Sequence, residues 1–318
     1  MSSCSKKCPN AAGPSSLRPC IAAKSEIAGA EFAPARQRRL TLFSIAVAAL
    51  SLTARAQAGQ QFCPSGGSAS GRVASVDERL DLTLEDNTRL KIAGIDPARP
   101  TPASPDLDTT GRQKLAKWLV GKPVEFHPVE AGQDRWGRVV AFVFAPIAAS
   151  PESPAQAPAS VGEALIDAGL ARYQPLAGAG PCRSALLAAE QAARTSGLGL
   201  WADPYYSVIA AADRESFAEK AGSSVIVEGR VTGIGGRRPR ITVYFGPRSG
   251  WDLSVTILPR DRKAFEAAYS ILAGLAGQKI RARGLLDTRF GPQIEISDLD
   301  AVELIGKEQG SAVPAARN

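Results

Sequence analysis

The sequence predicts a mainly β protein with helices, built as two five-stranded barrels in tandem. Five short strand-like runs carry the first barrel, and a helical pattern follows the third of them. The same order of strands around one helix recurs beyond residue 222. Both orders suit a small Greek-key barrel of the OB type.

The first unit opens with strand-like Arg72–Val76, Leu82–Glu85 and Thr88–Ile95, with Glu85, Asp86 and Asn87 supplying a turn. Thr109 or Thr110 caps a helix running through Gln113–Val120, with Leu115, Trp118 and Leu119 on one face. Strands Val124–Val129 and Val139–Phe144 follow, then an Ala/Pro/Ser loop over Pro146–Ser160. Val161–Ala168 and Arg183–Thr195 read as helices, the second halted by Ser196 and Gly197. A weakly helical stretch near Ala210–Lys220 connects the units. The second unit has strands Val225–Thr232, Ile241–Phe245 and Asp252–Leu258, a helix Arg262–Leu272, then Lys279–Leu285, Gln293–Ser297 and Ala301–Leu304. The resulting boundaries are a leader at 1–58, a first domain at 59–204, a connector at 205–222, a second domain at 223–306 and a disordered tail at 307–318.

The net charge of +7 points to an anionic partner, but its distribution narrows that reading. Residues 1–58 hold 8 Lys/Arg against 2 Asp/Glu, leaving 30 against 29 in the remainder. A protein that binds phosphates over its whole surface gains affinity by releasing counterions against concentrated positive charge. This body has no such excess, so a polyanion site must be a local patch.

The excess sits where an export signal would carry it. Arg36, Arg38 and Arg39 precede an apolar run from Leu40 to Ala54, and small-x-small cleavage candidates end at Ala56 and Ala58. The run is about 15 residues, shorter than the roughly 20 that span a bilayer. The expectation is signal-peptide cleavage, a periplasmic or secreted chain, and no transmembrane segment in the mature protein. Gln60, Gln61 and Phe62 before Cys63 lack the small residues of a lipoprotein signal. Cys4, Cys8 and Cys20 fall in the leader, so Cys63 and Cys182 are the two cysteines of the mature chain. They are either a disulfide or two half-buried thiols, and an oxidising compartment favours the bridge. His127 is the sole histidine and alternates with Val124 and Phe126 in a strand, which excludes a zinc site and most Ser-His-Asp or Cys-His chemistry.

Four segments in a fixed order carry a family resemblance. They are Leu90-Lys91-Ile92-Ala93-Gly94-Ile95-Asp96, Asp134-Arg135-Trp136-Gly137-Arg138, Gly162-Glu163-Ala164-Leu165 with Ala168-Gly169-Leu170-Ala171, and Ala189-Glu190-Gln191-Ala192-Ala193-Arg194 with Gly199-Leu200-Trp201. Together they resemble the thermonuclease (staphylococcal nuclease-like) family over roughly Gly71 to Pro204. The resemblance implies a phosphodiesterase site in which a calcium ion, two arginines and a glutamate base face the reacting phosphate. Those parts are needed because hydrolysis concentrates negative charge on phosphorus.

Asp96 matches a metal carboxylate of that family, Arg138 matches one phosphate-clamping arginine, and Lys91 stands at the other clamp. The remainder departs. The metal-binding turn reads Asp77-Glu78-Arg79-Leu80-Asp81, one residue longer, so Arg79 or Leu80 replaces an aspartate. Pro97-Ala98-Arg99 stands where the family has Thr-Pro-Glu, so Arg99 replaces the base. Two readings stay open: Asp77, Glu78 or Asp81 supplies a replacement ligand, or the pocket is a relic in which Asp96 and Arg138 form a structural ion pair. In the second unit, Arg237, Arg238 and Arg240 form a basic loop. With Tyr244, Phe245, Trp251 and Phe290 it is either a stacking face for a single strand or a solvated hairpin over core aromatics. Leu275–Leu286 with Gly291–Ile296 also resembles the small OB-like domains appended to bacterial exported proteins. The expectation is an exported module with an impaired catalytic site that binds nucleic acid, another polyanion or a protein, with no cofactor. The alternative is an active, calcium-dependent secreted endonuclease.

Overall fold

The first sheet closes on itself through short strands that bury their apolar residues in one core. Strands β1 (Ala69–Val76), β2 (Leu82–Leu84) and β3 (Arg89–Ile92) are followed by β5 (Pro123–Pro128) and β6 (Val139–Ala145) after an intervening short strand β4 (Ile95–Pro97) and helix α1 (Leu107–Leu119). The order β3-β2-β1-β5-β6 is closed by parallel β3–β6 pairing, which gives a five-stranded barrel. Its core is Val73, Leu82, Leu90, Leu115, Val124 and Ala141, each fully buried, and His127 lies exposed on β5. This is a computed structural model, and it describes residues 63–64, 66–147, 158–176, 180–237, 240–247, 251–258 and 262–306. The expected leader, apolar run and cleavage positions lie outside the described residues, as do most of the Pro146–Ser160 loop, Arg238 and the tail.

The single strand expected over Thr88–Ile95 is two strands. Gly94 breaks it at φ 76°, a left-handed conformation that glycine adopts without steric cost. The chain then leaves the barrel as β4, which pairs antiparallel with β8 (Ala171–Tyr173), a strand too short to show in the sequence pattern. Helix α1 starts at Leu107, ahead of the threonines expected to cap it, with Asp106 at the cap position. After β7 (Ala159–Ser160), helix α2 (Val161–Asp167) is capped by Ser160, whose Oγ accepts the Glu163 amide at 3.2 Å. Helix α3 (Arg183–Thr195) has the expected bounds and packs on α2.

The second sheet contains β9 (Ile209–Ala210), β10 (Ser224–Arg230), β11 (Gly233–Arg237), β12 (Arg240–Tyr244), β13 (Ser254–Ile257), β14 (Lys279–Asp287), β15 (Gln293–Ile296) and β16 (Val302–Leu304). Helix α4 (Arg214–Glu219) lies in the connector and α5 (Arg262–Ala273) between β13 and β14. The order is β11-β12-β13-β15-β14-β10-β9, with β16 on β14. No ladder joins the ends of that path among the described residues, whereas the β3–β6 ladder closes the first sheet.

Both sheets belong to one compact unit, Gln57–Asn318. A buried guanidinium joins α3 and β8 to the second sheet. Arg283 on β14 is 4% exposed and donates to both oxygens of Glu190 on α3, at 3.0 and 2.9 Å, and to the Tyr173 carbonyl at 3.0 Å. It also bonds Glu303 on β16, while Glu190 accepts the Tyr173 amide at 2.8 Å. Two carboxylates raise the Arg283 pKa against the burial that would lower it, so the charge is retained. Arg183 adds donations to the Asp300 and Val302 carbonyls at 3.3 and 2.9 Å. No helix among the described residues is long and apolar enough to cross a membrane.

Candidate functional site

Two tight turns build a cleft beside the first barrel. In the first, the Asp77 carboxylate accepts the amides of Arg79 and Asp81 at 2.8 and 3.0 Å. This closes the loop that the sequence shows as one residue longer. Leu80 takes φ 61° and buries its side chain, so core packing holds a conformation unfavourable for a branched residue. Leu80 is therefore a core residue, and Arg79 lines the cleft. In the second turn, Asp134 accepts the Trp136 and Arg138 amides at 2.9 and 3.0 Å. Its other oxygen receives Arg138 Nε and Nη2 at 3.0 and 2.7 Å.

Arg138 joins the two turns. Its Nη1 donates to Asp81 at 2.7 Å, and both side chains are almost fully buried. Burial raises the Asp81 pKa and the Arg138 interactions only partly restrain that rise. At Asp134 burial pushes upward as well, but the hydrogen bonds from Arg138 and Trp136 prevail and lower the pKa. Arg89 lies 3.9 Å from Asp77 and 4.0 Å from Asp81 and donates to the Trp136 carbonyl at 3.4 Å. The cleft encloses about 510 Å³ and is lined by Asp77, Glu78, Arg79, Asp81, Arg89, Arg112, Trp136 and Arg138. Trp136 is 50% exposed, with the Arg135 guanidinium 3.9 Å and the Arg138 guanidinium 4.9 Å from its ring centre.

The expected ion pair between Asp96 and Arg138 does not form. Asp96 on β4 stands opposite Arg172 on β8 in the strand register and accepts its Nη2 at 2.7 Å. Arg172 also donates to the Ser224 carbonyl at 3.2 Å and lies 5.1 Å from the Tyr206 ring centre. Arg99 reaches Asp96 at 3.7 Å, and its backbone exchanges two hydrogen bonds with the Tyr206 hydroxyl, at 2.7 and 3.0 Å. Asp96 and Arg99 are thus brought together, but neither lines the cleft that holds Arg138, Asp77 and Asp81. Lys91 is half-buried on β3 and is not a lining residue, whereas Arg89, on the same face two residues earlier, is. Sequence reasoning missed Arg89 and Arg112. The strand period of two was the available signal for Arg89, because it places residues 89 and 91 on one face beside the turn.

Among the described residues, no three His, Cys, Asp or Glu side chains converge to hold a metal. The cleft does not fit calcium, which takes six or more oxygens, several from free carboxylates. Both Asp77 and Asp81 spend an oxygen on backbone amides or on Arg138, and four arginines share the space. In the second sheet, Arg237 and Arg240 pair across the β11–β12 hairpin and Arg240 is exposed. Arg238 and the Arg237 side chain lie outside the described residues. The β12–β13 register puts Tyr244 opposite Ser254 and Ile241 opposite Ile257. The basic turn and the Trp251 loop are therefore at opposite ends of β12, not on one loop cluster.

Cys63 and Cys182 form a disulfide with Cα atoms 4.5 Å apart, tying the start of the described chain to the entry of α3. Residues 98–203 match the family model described as staphylococcal nuclease homologue. The matched segment contains the Asp134–Arg138 turn, α2 and α3, and begins after Asp96. A search of the curated proteins found no match.

Proposed function

Because residues 98–203 match the family model described as staphylococcal nuclease homologue, we propose an exported nucleic-acid-binding module without calcium-dependent hydrolysis. The observation that carries this reading is the way the carboxylates are engaged. Asp96 is held by Arg172 and Arg99 away from the cleft, and Asp81 is held by Arg138 within it. Hydrolysis needs an acceptor for the proton of water, and the guanidinium of Arg99 offers none. Binding needs less. Arg79 and Arg112 line the cleft without a carboxylate partner among the described residues, and a half-exposed indole stands beside them. Free guanidiniums contact phosphates, and an aromatic face accepts an unpaired base whatever its identity. The disulfide supports residence in an oxidising compartment, periplasmic or outside the cell. Reading the C-terminal sheet as a second OB-type barrel treats β10 and β11, separated by Val231 and Thr232, as halves of one bent strand. The path β11-β12-β13-β15-β14-β10 then begins and ends on that strand.

Binding and cleavage of labelled single-stranded DNA, with and without calcium, test the reading together. The expected result is salt-sensitive binding and no cleavage above a buffer blank. Arg79→Ala and Arg112→Ala should each reduce the slope of affinity against salt by about one. Calcium-dependent turnover that Asp81→Asn abolishes would overturn it and restore the alternative, a secreted endonuclease whose longer turn supplies its own ligands.

A further inference from the structure

A second aromatic surface lies on the C-terminal sheet, in the turn between β14 and β15. Phe290 there is 97% exposed, and Trp251, ahead of β13, is 50% exposed. The strand register brings them together. Ser254 and Gln293 are partners in the parallel β13–β15 pair, and each ring stands three residues before its partner residue. Neighbouring strands lie about 4.8 Å apart, so the two loops leave the sheet side by side. The Ser254 amide donates to the Pro292 carbonyl at 3.0 Å, and a Cβ placed on Gly291 would lie 3.7 Å from the Trp251 indole. The turn that carries Phe290 thus rests against Trp251.

Charge flanks both rings. Arg289 precedes Phe290 and is held by Asp287 at 2.7 Å with its side chain 80% exposed. Arg214 is held at 2.7 Å by Asp252, the neighbour of Trp251. The exposed Arg289–Asp287 pair contributes little to stability, so a phosphate can take the place of its carboxylate. The other end of β12 carries exposed Arg240, about 13 Å further along the strand. Two flat apolar faces with guanidiniums beside them and a cation farther along the sheet match an unpaired, anionic chain of aromatic bases. A duplex has no base faces free to stack.

We infer that this end of the second sheet binds single-stranded nucleic acid by stacking unpaired bases on Trp251 and Phe290. The inference rests on the nucleic-acid reading of the cleft and adds a separate contact for the same ligand. Stacking strength does not depend on counterion release, so ring and cleft contributions are separable by salt.

The test is fluorescence anisotropy of the intact chain with labelled oligo-dT over a range of salt. Phe290→Ala should weaken binding by about 5- to 100-fold at every salt concentration, without changing the slope. Trp251→Ala should act in the same direction, Phe290→Trp should retain affinity, and duplex DNA should bind without sensitivity to either alanine variant. The Phe290 ring packs against almost nothing, so its removal leaves folding intact. If Phe290→Ala and Trp251→Ala bind as tightly as the parent while Arg112→Ala weakens binding, the second contact is wrong and the cleft reading stands. If the parent itself does not bind oligo-dT, both fail. Anionic vesicles that capture the chain through Phe290 when oligo-dT does not would make this a membrane contact and overturn the inference.

Discussion

Arg138 is the residue on which the cleft depends, because it pairs at 2.7 Å with a carboxylate of each turn. Replacing it with alanine leaves Asp81 buried without its counter-charge, a change expected to cost about 3–5 kcal/mol. Urea unfolding measures it, and Asp81→Asn in the same chain should recover part of the loss. The pH dependence has a definite sign. The folded state raises the Asp81 pKa, so the folded chain binds that proton more tightly than the unfolded one. Its contribution favours folding as pH falls through the raised value and is lost as pH rises above it. Since Arg138 restrains the rise, the defect of Arg138→Ala should shrink in mildly acidic solution, from above the usual aspartate range downward. A defect constant across that window would contradict this account. The Asp134–Arg138 turn was legible in the sequence because all its bonds close within five residues. The partner of Asp96 was not, since Arg172 is 76 positions away and meets it through the β4–β8 pairing.

At the scale of the element, local signals were reliable where one segment decides its own conformation. The start of α2 at Val161 and the bounds of α3 follow from periodicity, and the structure adds Ser160 as the cap of α2. Ser160→Ala should cost about 1 kcal/mol in thermal or urea unfolding, through the unsatisfied Glu163 amide. Periodicity misled where a strand bends, because the polar-apolar alternation of Arg89–Ile92 runs on into apolar Ala93 and Ile95 while Gly94 turns the end out of the barrel. The disulfide joins two elements across 119 positions, and loop-entropy reasoning assigns it about 4–5 kcal/mol before other effects. Cys63→Ser with Cys182→Ser should lower the unfolding midpoint correspondingly. Two alkylatable thiols in the folded native protein would show that the bridge is not made.

For the whole molecule, the decisive contact is Arg283 between Glu190 and Glu303. Helix α3, which packs on α2 of the first unit, and the second sheet share it, so unfolding should be a single transition, with calorimetric and van't Hoff enthalpies in agreement. Arg283→Met leaves buried Glu190 without its counter-charge, while Glu303 keeps Arg281 at 3.2 Å, and should cost about 3–5 kcal/mol. Separation into two transitions would identify this guanidinium as what makes the sheets cooperate. The tandem arrangement of strands around one helix was visible in the sequence, since it repeats as pattern. The join between the sheets was not, because Glu190 and Arg283 are 93 positions apart and each reads alone as an ordinary surface charge.

That join also constrains inheritance. Glu190 lies inside the segment that matches the nuclease homologues, yet both its carboxylate oxygens are committed to an arginine outside it. A recombination event that moved residues 98–203 into another gene would carry a buried acid without its counter-ion. A descendant that kept the first sheet and exchanged the second would need a cation at the equivalent of position 283 or a neutral residue at 190. The two parts of this chain can diverge in what they bind, but at this contact they must change together.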